Sequence, residues 1–152
     1  LVRINLVIIV KIAIMYYIKS IMKNTIFKLT EHVYYFSLLV LLILYLFPGS
    51  LIGYLLYGNL GQQPNLISNP IGTSINHLIF FSYITVLAII VRIRVKNIFT
   101  NYLVIIFISC LLEILHLIVP NRAFELYDLI ANIIGVVIIL LINSFVKWRK
   151  YF

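Results

Sequence analysis

Between Glu113 and Gly135 the chain reads EILHLIVPNRAFELYDLIANIIG. This stretch holds three of the four acidic residues of the chain and one of its three histidines. Long apolar runs flank it on both sides, and Pro120 opens its short polar interruption. Because proline ends or kinks a helix, the pattern predicts two helices joined by a turn over residues 121–125. We therefore expect a helical hairpin that gathers its few charges near the tip.

The rest of the sequence has the composition of a membrane protein. Apolar residues make up 64% of the 152 residues, charged residues 11%, and the mean hydropathy is +1.14. Runs of about 20 apolar residues recur, and each is long enough to cross roughly 30 Å of hydrocarbon. The only cysteine, Cys110, lies inside such a run, so an intrachain disulfide is excluded. The predicted fold class is all-α, a polytopic bundle of transmembrane helices.

Four apolar runs are predicted to span the membrane and to form one membrane domain, residues 33–146. Pro48, which follows the first run, is expected to end or kink that helix, and an uncharged loop is expected at residues 58–74. Three tyrosines near this end, at positions 45, 54 and 57, are predicted to lie in an aromatic belt at the interface. The predicted spans are residues 33–47, 76–91, 98–119 and 126–146.

Residues 1–32 are predicted to be a separate N-terminal segment on the cytoplasmic side. Lys11 interrupts their apolar run, and no small-residue cleavage site of a signal peptide follows it. Met22 resembles a start, so residues 1–21 are interpreted as an extension that is not native to the protein. If they are native, we expect an amphipathic segment at the membrane interface.

The basic residues predict the orientation of the four spans. Five Lys and Arg residues precede the first span, three lie between the second and third, and three follow the fourth, which leaves only Arg122 on the other side. The positive-inside rule then places both termini, including the basic tail 147–152, in the cytoplasm. Because the positive charge lies at the ends of spans, we expect membrane lipids and not nucleic acid as partners.

Spacing predicts a polar site inside the hairpin. Glu113 and His116 are three residues apart and share a helix face, as do Asp128 and Asn132, four apart. With about 1.5 Å of rise per residue, Glu113 and Asn132 lie level, as do His116 and Asp128. The spacing therefore permits two facing pairs. Two further residues complete the pattern: Arg122 in the loop above, and Gly135 on the Asn132 stripe, where it would allow close helix packing.

These residues resemble the core pattern of the VanZ-like membrane protein family. That pattern has Glu-x-x-Gln on one span, a Pro-x-Arg loop, and Asp-x-x-x-Asn-x-x-Gly opening the next span. His116 departs from it, since glutamine is usual there, and the start of the second span, Asn76-His77 followed by Phe80, only weakly echoes relatives. The matching residues are Glu113, Pro120, Arg122, Asp128, Asn132 and Gly135.

The resemblance implies a four-span protein of the bacterial cytoplasmic (inner) membrane, linked to the cell envelope. Some members of the family are associated with teicoplanin resistance, but no activity of the family carries over to these residues. No catalytic residue is therefore assigned. Only one or two good metal ligands converge in the hairpin, whereas a zinc site needs three, so no metal or other cofactor is predicted.

Three hypotheses follow for the site formed by Glu113, His116, Arg122, Asp128 and Asn132. The first is a non-catalytic module whose outer-face site binds an anionic or lipid-linked ligand, such as an envelope precursor or a lipoglycopeptide tail. The second is an intramembrane hydrolase or transferase that acts on such a lipid with Glu113, or a His116–Asp128 pair, as general base. The third is a structural network that only stabilises the bundle. We favour the first, since ionisable residues within membranes are commonly functional and no nucleophile is evident.

Overall fold

The computed structural model describes residues 2–64 and 72–149, with side chains from Ile8 onward. This part of the chain is helical apart from its connecting turns, which confirms the all-α prediction. The middle of the predicted loop, residues 65–71, and the end of the basic tail, residues 150–152, lie outside the described residues. The helices are α1 (Val2–Leu46), α2 (Leu51–Tyr57), α3 (Gly72–Arg92), α4 (Tyr102–Leu115) and α5 (Leu126–Trp148).

Three of these helices, α1, α3 and α5, are long and apolar enough to cross a membrane. This is typical of a membrane protein, as the composition predicts. The fourth apolar helix, α4, has only 14 residues. At about 1.5 Å per residue it extends roughly 21 Å, less than the roughly 30 Å of a hydrocarbon core. The count of four spans therefore stays a prediction.

The predicted boundary at residue 32 lies within a helix, because α1 runs unbroken through residue 32 into the first predicted span. The cytoplasmic placement of residues 1–32 stays a prediction. Residues 2–47 contain neither glycine nor proline, so no residue in them breaks the helix. The side chains of residues 8–26 are all exposed, and packing against other helices begins only near Phe27. The helix ends at Leu46, just before Pro48, as the proline predicts.

A short turn carries the chain from α1 into α2. Gly49 adopts the left-handed conformation (φ 84°), which is accessible to glycine at little cost. Ser50 then caps α2, since its hydroxyl oxygen accepts a hydrogen bond from the backbone N–H of Gly53 (2.9 Å). The predicted apolar run 51–57 is thus a seven-residue helix that ends at Gly58.

The most extensive helix contact joins α3 and α5. Gly135 lies at their closest approach: a β-carbon on it would be 2.6 Å from the carbonyl oxygen of Leu78. The Ser82 hydroxyl donates to the carbonyl of Gly135 (3.2 Å) at the same place. A contact between α4 and α5, expected from their short connection, is also present.

The α3–α4 connection fixes the opposite end of the molecule. The Arg92 guanidinium donates to the carbonyl of Thr100 (2.7 Å), and the Tyr34 hydroxyl of α1 donates to the carbonyl of Phe99 (2.5 Å). Arg94 donates to the side-chain oxygen of Asn24 (2.7 Å). The hydrogen bonds of Tyr34 and Arg94 thus join α1 to the α3–α4 connection, at the end away from the Glu113 hairpin.

Candidate polar site between four helices

The last turn of α4 carries Glu113, which is completely buried. Its Oε1 accepts a hydrogen bond from the backbone N–H of Glu125 (3.2 Å) and lies 3.3 Å from Nδ1 of His116. Its Oε2 has no hydrogen-bond partner among the described residues. Because a carboxylate removed from water is costly unless it is compensated, Oε2 requires a proton donor or a cation.

The N-terminal half of α5 supplies Asp128 and Asn132, both buried and one turn apart. Oδ1 of Asp128 accepts a hydrogen bond from the Ser74 hydroxyl of α3 (2.5 Å). The side-chain amide of Asn132 donates to the carbonyl of Ser109 on α4 (3.5 Å), which leaves its oxygen as the acceptor in the site. Asp128 also lies in the first turn of α5, where the helix dipole favours a negative charge.

His77 of α3 lies between these two groups. Its Nε2 is 3.4 Å from Oδ2 of Asp128, and its Nδ1 is 3.8 Å from Oε2 of Glu113. Nδ1 is also 3.2 Å from Oδ1 of Asn132. One ligand atom from each of His77, Glu113 and Asp128 lies within 4.8 Å of the others, so these three could hold a metal ion.

Tyr45 of α1 closes the site from the fourth helix. Its hydroxyl lies 2.7 Å from Nδ1 of His77 and donates to Oδ1 of Asn132 (3.1 Å). Its ring stacks on the imidazole of His116, with centroids 5.2 Å apart and an interplanar angle of 18°. The two histidines are therefore held on one tyrosine, by its hydroxyl and by its face.

Two charged residues stand above this cluster, outside the helices. Nη2 of Arg122 donates to the carbonyl of Leu44 at the end of α1 (2.7 Å), and its buried Nε has no partner among the described residues. Burial lowers the pKa of Arg122, while Tyr45 and Glu113 act to raise it. Partial burial raises the pKa of Glu125, and the nearby Asp128 and Glu113 carboxylates add to that effect. The negative charge of the buried carboxylates thus affects the pKa of both residues at the mouth of the site.

Two cavities meet at this cluster. The larger, about 820 Å³, is lined mainly by polar groups, among them Asp128 and Glu125. The smaller, about 150 Å³, is lined mainly by apolar side chains such as Leu41 and Phe80. Both cavities share a wall made by Ser50, Gln63, His77, His116 and Arg122. The arrangement can therefore accept a polar group and an apolar group side by side.

Four residues predicted from the hairpin lie within the cluster, but their partners differ from those predicted. Among the described contacts, no hydrogen bond joins Glu113 to Asn132 or His116 to Asp128. The α4 helix ends at Leu115 and tightens, with His116 N–H bonded to the carbonyl of Glu113, three residues back. The His116 side chain then lies near Glu113 at the end of α4, while His77 and Tyr45 occupy the space between α4 and α5. Arg122 lies at the mouth.

The residues that the sequence analysis missed are His77, Tyr45 and Ser74. His77 has the pattern that could have revealed it, because buried residues of α3 recur every three or four positions around it. Tyr45 likewise ends a buried stripe on α1, although it was predicted to lie in an aromatic belt. These stripes are Ser74, His77, Phe81, Ile84 and Ala88 on α3, and Tyr34, Ser37, Leu41 and Tyr45 on α1.

Comparisons of the chain with protein-family models, with curated proteins and with solved structures give no match. The resemblance of Glu113–Gly135 to the VanZ-like family therefore stays a prediction.

Proposed function

We propose that this protein is a membrane-embedded binding module for an amphiphile with an anionic, hydroxyl-rich headgroup, such as a lipid-linked saccharide of the cell envelope. The observation that supports this most is the pair of cavities with a shared wall. A cavity of about 820 Å³ would take the headgroup, and the adjoining cavity of about 150 Å³ would take the first part of an apolar chain. Small-molecule sites are commonly about 300–1,000 Å³.

The headgroup chemistry is inferred from the charges that line the larger cavity. Arg122 lines both cavities, and its Nε has no partner among residues 2–64 and 72–149, so it would pair with a phosphate at the junction of head and chain. Asp128 and Glu125 line only the larger cavity, where carboxylates would accept hydrogen bonds from sugar hydroxyls. A headgroup with a phosphate but no hydroxyls would offer these carboxylates no hydrogen-bond donor.

The proposal includes a location. Four spans, with both termini in the cytoplasm, would place the cluster near the outer face of a bacterial cytoplasmic membrane. The excess of basic residues at the other end of the bundle supports this orientation. The VanZ-like resemblance agrees with an envelope role related to glycopeptide resistance, with a lipid-linked precursor or a lipoglycopeptide as the ligand.

Binding of a fluorescent polyprenyl-phosphate saccharide to the purified protein in detergent tests the proposal. Arg122→Gln should weaken binding by about 10- to 100-fold, because a hydrogen bond to a charged group contributes about 1.5–3 kcal/mol. Arg149→Gln, at an exposed arginine of the same charge, is the matched control and should bind normally.

A second variant guards against loss of folding in Arg122→Gln, whose wild-type side chain also bonds to Leu44. Leu44→Trp would fill the smaller cavity while leaving the Leu44 carbonyl in place, and it should weaken binding of the full lipid more than of a short-chain analogue. Equal affinity of Arg122→Gln and wild type, or equal affinity for a phosphate-free polyprenyl analogue, contradicts the proposed site.

One observation favours the second candidate, an intramembrane hydrolase or transferase. His116 Nδ1 lies 3.3 Å from a Glu113 oxygen, and its buried Nε2 has no partner in the described chain. A histidine oriented by a carboxylate is a common general base, and here it would activate a water molecule. Two serines near the cluster already donate hydrogen bonds, Ser109 to the carbonyl of Ile106 and Ser74 to Asp128. Turnover of the same lipid by wild type, abolished in His116→Gln, would establish this alternative.

A further inference from the structure

The two buried carboxylates of the cluster lack a partner with a permanent positive charge. Glu113 and Asp128 approach only histidines within ion-pair distance, and no lysine or arginine pairs with either in the described chain. Neutral imidazole does not compensate a negative charge. Two carboxylates held close together in a site of low polarity therefore require a cation between them or a shared proton.

The hydrogen-bond chain from α4 to α3 indicates which nitrogen of His77 carries its proton. The Asn132 amide donates to Ser109, so its oxygen faces Tyr45 as an acceptor, and the Tyr45 hydroxyl donates to it. The Tyr45 oxygen is then free to accept a hydrogen bond from Nδ1–H of His77 (2.7 Å). This tautomer is assigned from the network.

The assigned tautomer turns the lone pair of His77 Nε2 toward Asp128. Nε2 and Oδ2 of Asp128 are then two acceptors 3.4 Å apart, which repel each other unless a cation or a proton compensates them. Glu113 adds a third acceptor, its Oε2, which is buried and has no hydrogen-bond partner within the part of the chain that the structure describes. One possible ligand atom from each of these three residues thus lies within 4.8 Å of the others, as the ligands of a cation do.

We propose that His77, Glu113 and Asp128 bind a divalent transition-metal ion of the Zn²⁺ or Mn²⁺ class. One imidazole nitrogen and two carboxylate oxygens are common ligands of such ions at about 2.0–2.2 Å. Ligand atoms around one ion therefore lie at most about 4.4 Å apart, so the 4.8 Å spread of these atoms needs only a small contraction. The sequence analysis counted one or two ligands because it considered the hairpin alone, and α3 supplies the third.

The neighbours of the three ligands suit this role. Ligand groups are usually oriented by hydrogen bonds on their far side, and all three have one here. Tyr45 holds Nδ1 of His77, Ser74 holds Oδ1 of Asp128, and the N–H of Glu125 holds Oε1 of Glu113. His77 and Asp128 also line the larger cavity, which leaves room for water or a ligand oxygen on the open side of the ion.

The experiment uses the ion alone and no lipid, so that its result is independent of the proposed amphiphile. The full chain, purified in detergent and stripped with a chelator, is titrated with Zn²⁺ and with Mn²⁺. Bound metal is quantified by mass spectrometry, and the coordination of Mn²⁺ is followed by electron paramagnetic resonance. We expect one ion per chain. His77→Gln and Glu113→Gln should each weaken it by at least about 100-fold, since even the loss of an orienting neighbour costs about 10- to 100-fold.

His32→Gln and Glu31→Gln are the matched controls, since they make the same changes outside the cluster, and both should bind like wild type. Asp128→Asn keeps the shape of the residue and should also lose the ion, so it covers the case in which another variant fails to fold, as judged by circular dichroism. Wild type that is helical but takes up no stoichiometric ion overturns the proposal and leaves a shared proton as the compensating charge. Wild-type affinity in both His77→Gln and Asp128→Asn overturns it as well.

Discussion

At the scale of single residues, Tyr45 organises the polar cluster more than any charged group does. Its hydroxyl accepts from one side chain and donates to another, and both of those are held on other helices. A hydroxyl can do this because it is both donor and acceptor. The orientation of His77 between Glu113 and Asp128 therefore depends on a residue of α1 that touches neither carboxylate through a hydrogen bond.

Tyr45→Phe should lower the free energy of unfolding of the metal-free protein by about 1–3 kcal/mol, because it leaves buried polar atoms of His77 and Asn132 with fewer partners. Tyr54→Phe is the matched control, since Tyr54 is 53% exposed, and it should change stability little. Unfolding in mixed micelles with increasing denaturing detergent, followed by circular dichroism, measures both. Equal stability of the two variants would show that the hydrogen bonds of the Tyr45 hydroxyl do not contribute to the stability of the protein.

The sequence could indicate Glu113, His116, Asp128 and Asn132 because a charge or amide within an apolar run is conspicuous. It could not supply their partners. A hairpin considered by itself has two faces, and nothing in its own sequence indicates that α1 and α3 insert Tyr45 and His77 between α4 and α5. A tyrosine near a helix end satisfies an interfacial position equally well, so its burial depends on tertiary packing.

At the scale of helices, the crossing of α3 and α5 determines how closely the side chains of the polar cluster approach one another. Gly135 lies about one turn beyond Asn132, so the backbone contact there sets the spacing on which the bonds of Asn132 and Asp128 depend. Without a strong hydrophobic force between helices in lipid, such close contacts of small residues are a main source of association.

Gly135→Ala should destabilise the bundle by about 1–3 kcal/mol, the usual cost of overpacking, because the added carbon meets the backbone carbonyl of Leu78 and not a flexible side chain. Gly61→Ala is the control. A carbon on Gly61 would meet only the Asn59 side chain at 3.4 Å, an ordinary contact. The melting temperatures of the two variants in one detergent provide the comparison, and an unchanged value for Gly135→Ala would argue against close packing at this position.

The predicted boundary at residue 32 falls inside α1, which is one helix from Val2 to Leu46. Composition changes near residue 32, from mixed to apolar, and that change predicts a boundary between segments. A helix, however, ends where a residue interrupts its hydrogen bonds, and none does so before Pro48. Composition thus indicated where packing begins along α1 and not where the helix begins.

Two proline substitutions distinguish the exposed part of α1 from its packed part. Lys19→Pro lies among exposed side chains, so it should reduce helical content locally while leaving the unfolding transition of the bundle unchanged. Leu38→Pro lies in the packed part and should lower stability by about 3 kcal/mol or more. Far-ultraviolet circular dichroism, read before and during detergent unfolding, distinguishes the two effects. A loss of bundle stability in Lys19→Pro would mean that residues 8–26 pack against a partner.

At the scale of the whole molecule, the charges are sorted to opposite ends of the bundle. Arg92 and Arg94 lie at the α3–α4 connection, where they bond to Thr100 and Asn24. Glu113, Glu125 and Asp128 lie at the other end of α4. The residue counts predict this sorting, because most Lys and Arg residues flank the apolar runs. The number of spans depends on whether α4 crosses the membrane, and its 14 residues are short for a crossing.

Cysteine labelling in intact cells can determine both orientation and span number. On a Cys110→Ser background, single cysteines at Asn59, Ala123 and Arg149 report on the α2–α3 loop, the α4–α5 loop and the end of α5, and all three positions are exposed. Four spans with the basic end inside predict that a membrane-impermeant maleimide labels the first two in intact cells and the third only after permeabilisation. If α4 does not cross, α5 reverses, so that Arg149→Cys is labelled from outside and Ala123→Cys is not. That pattern would place Asp128, at the start of α5, on the opposite face from His77, at the start of α3, so it would exclude both the outer-face lipid site and the metal site.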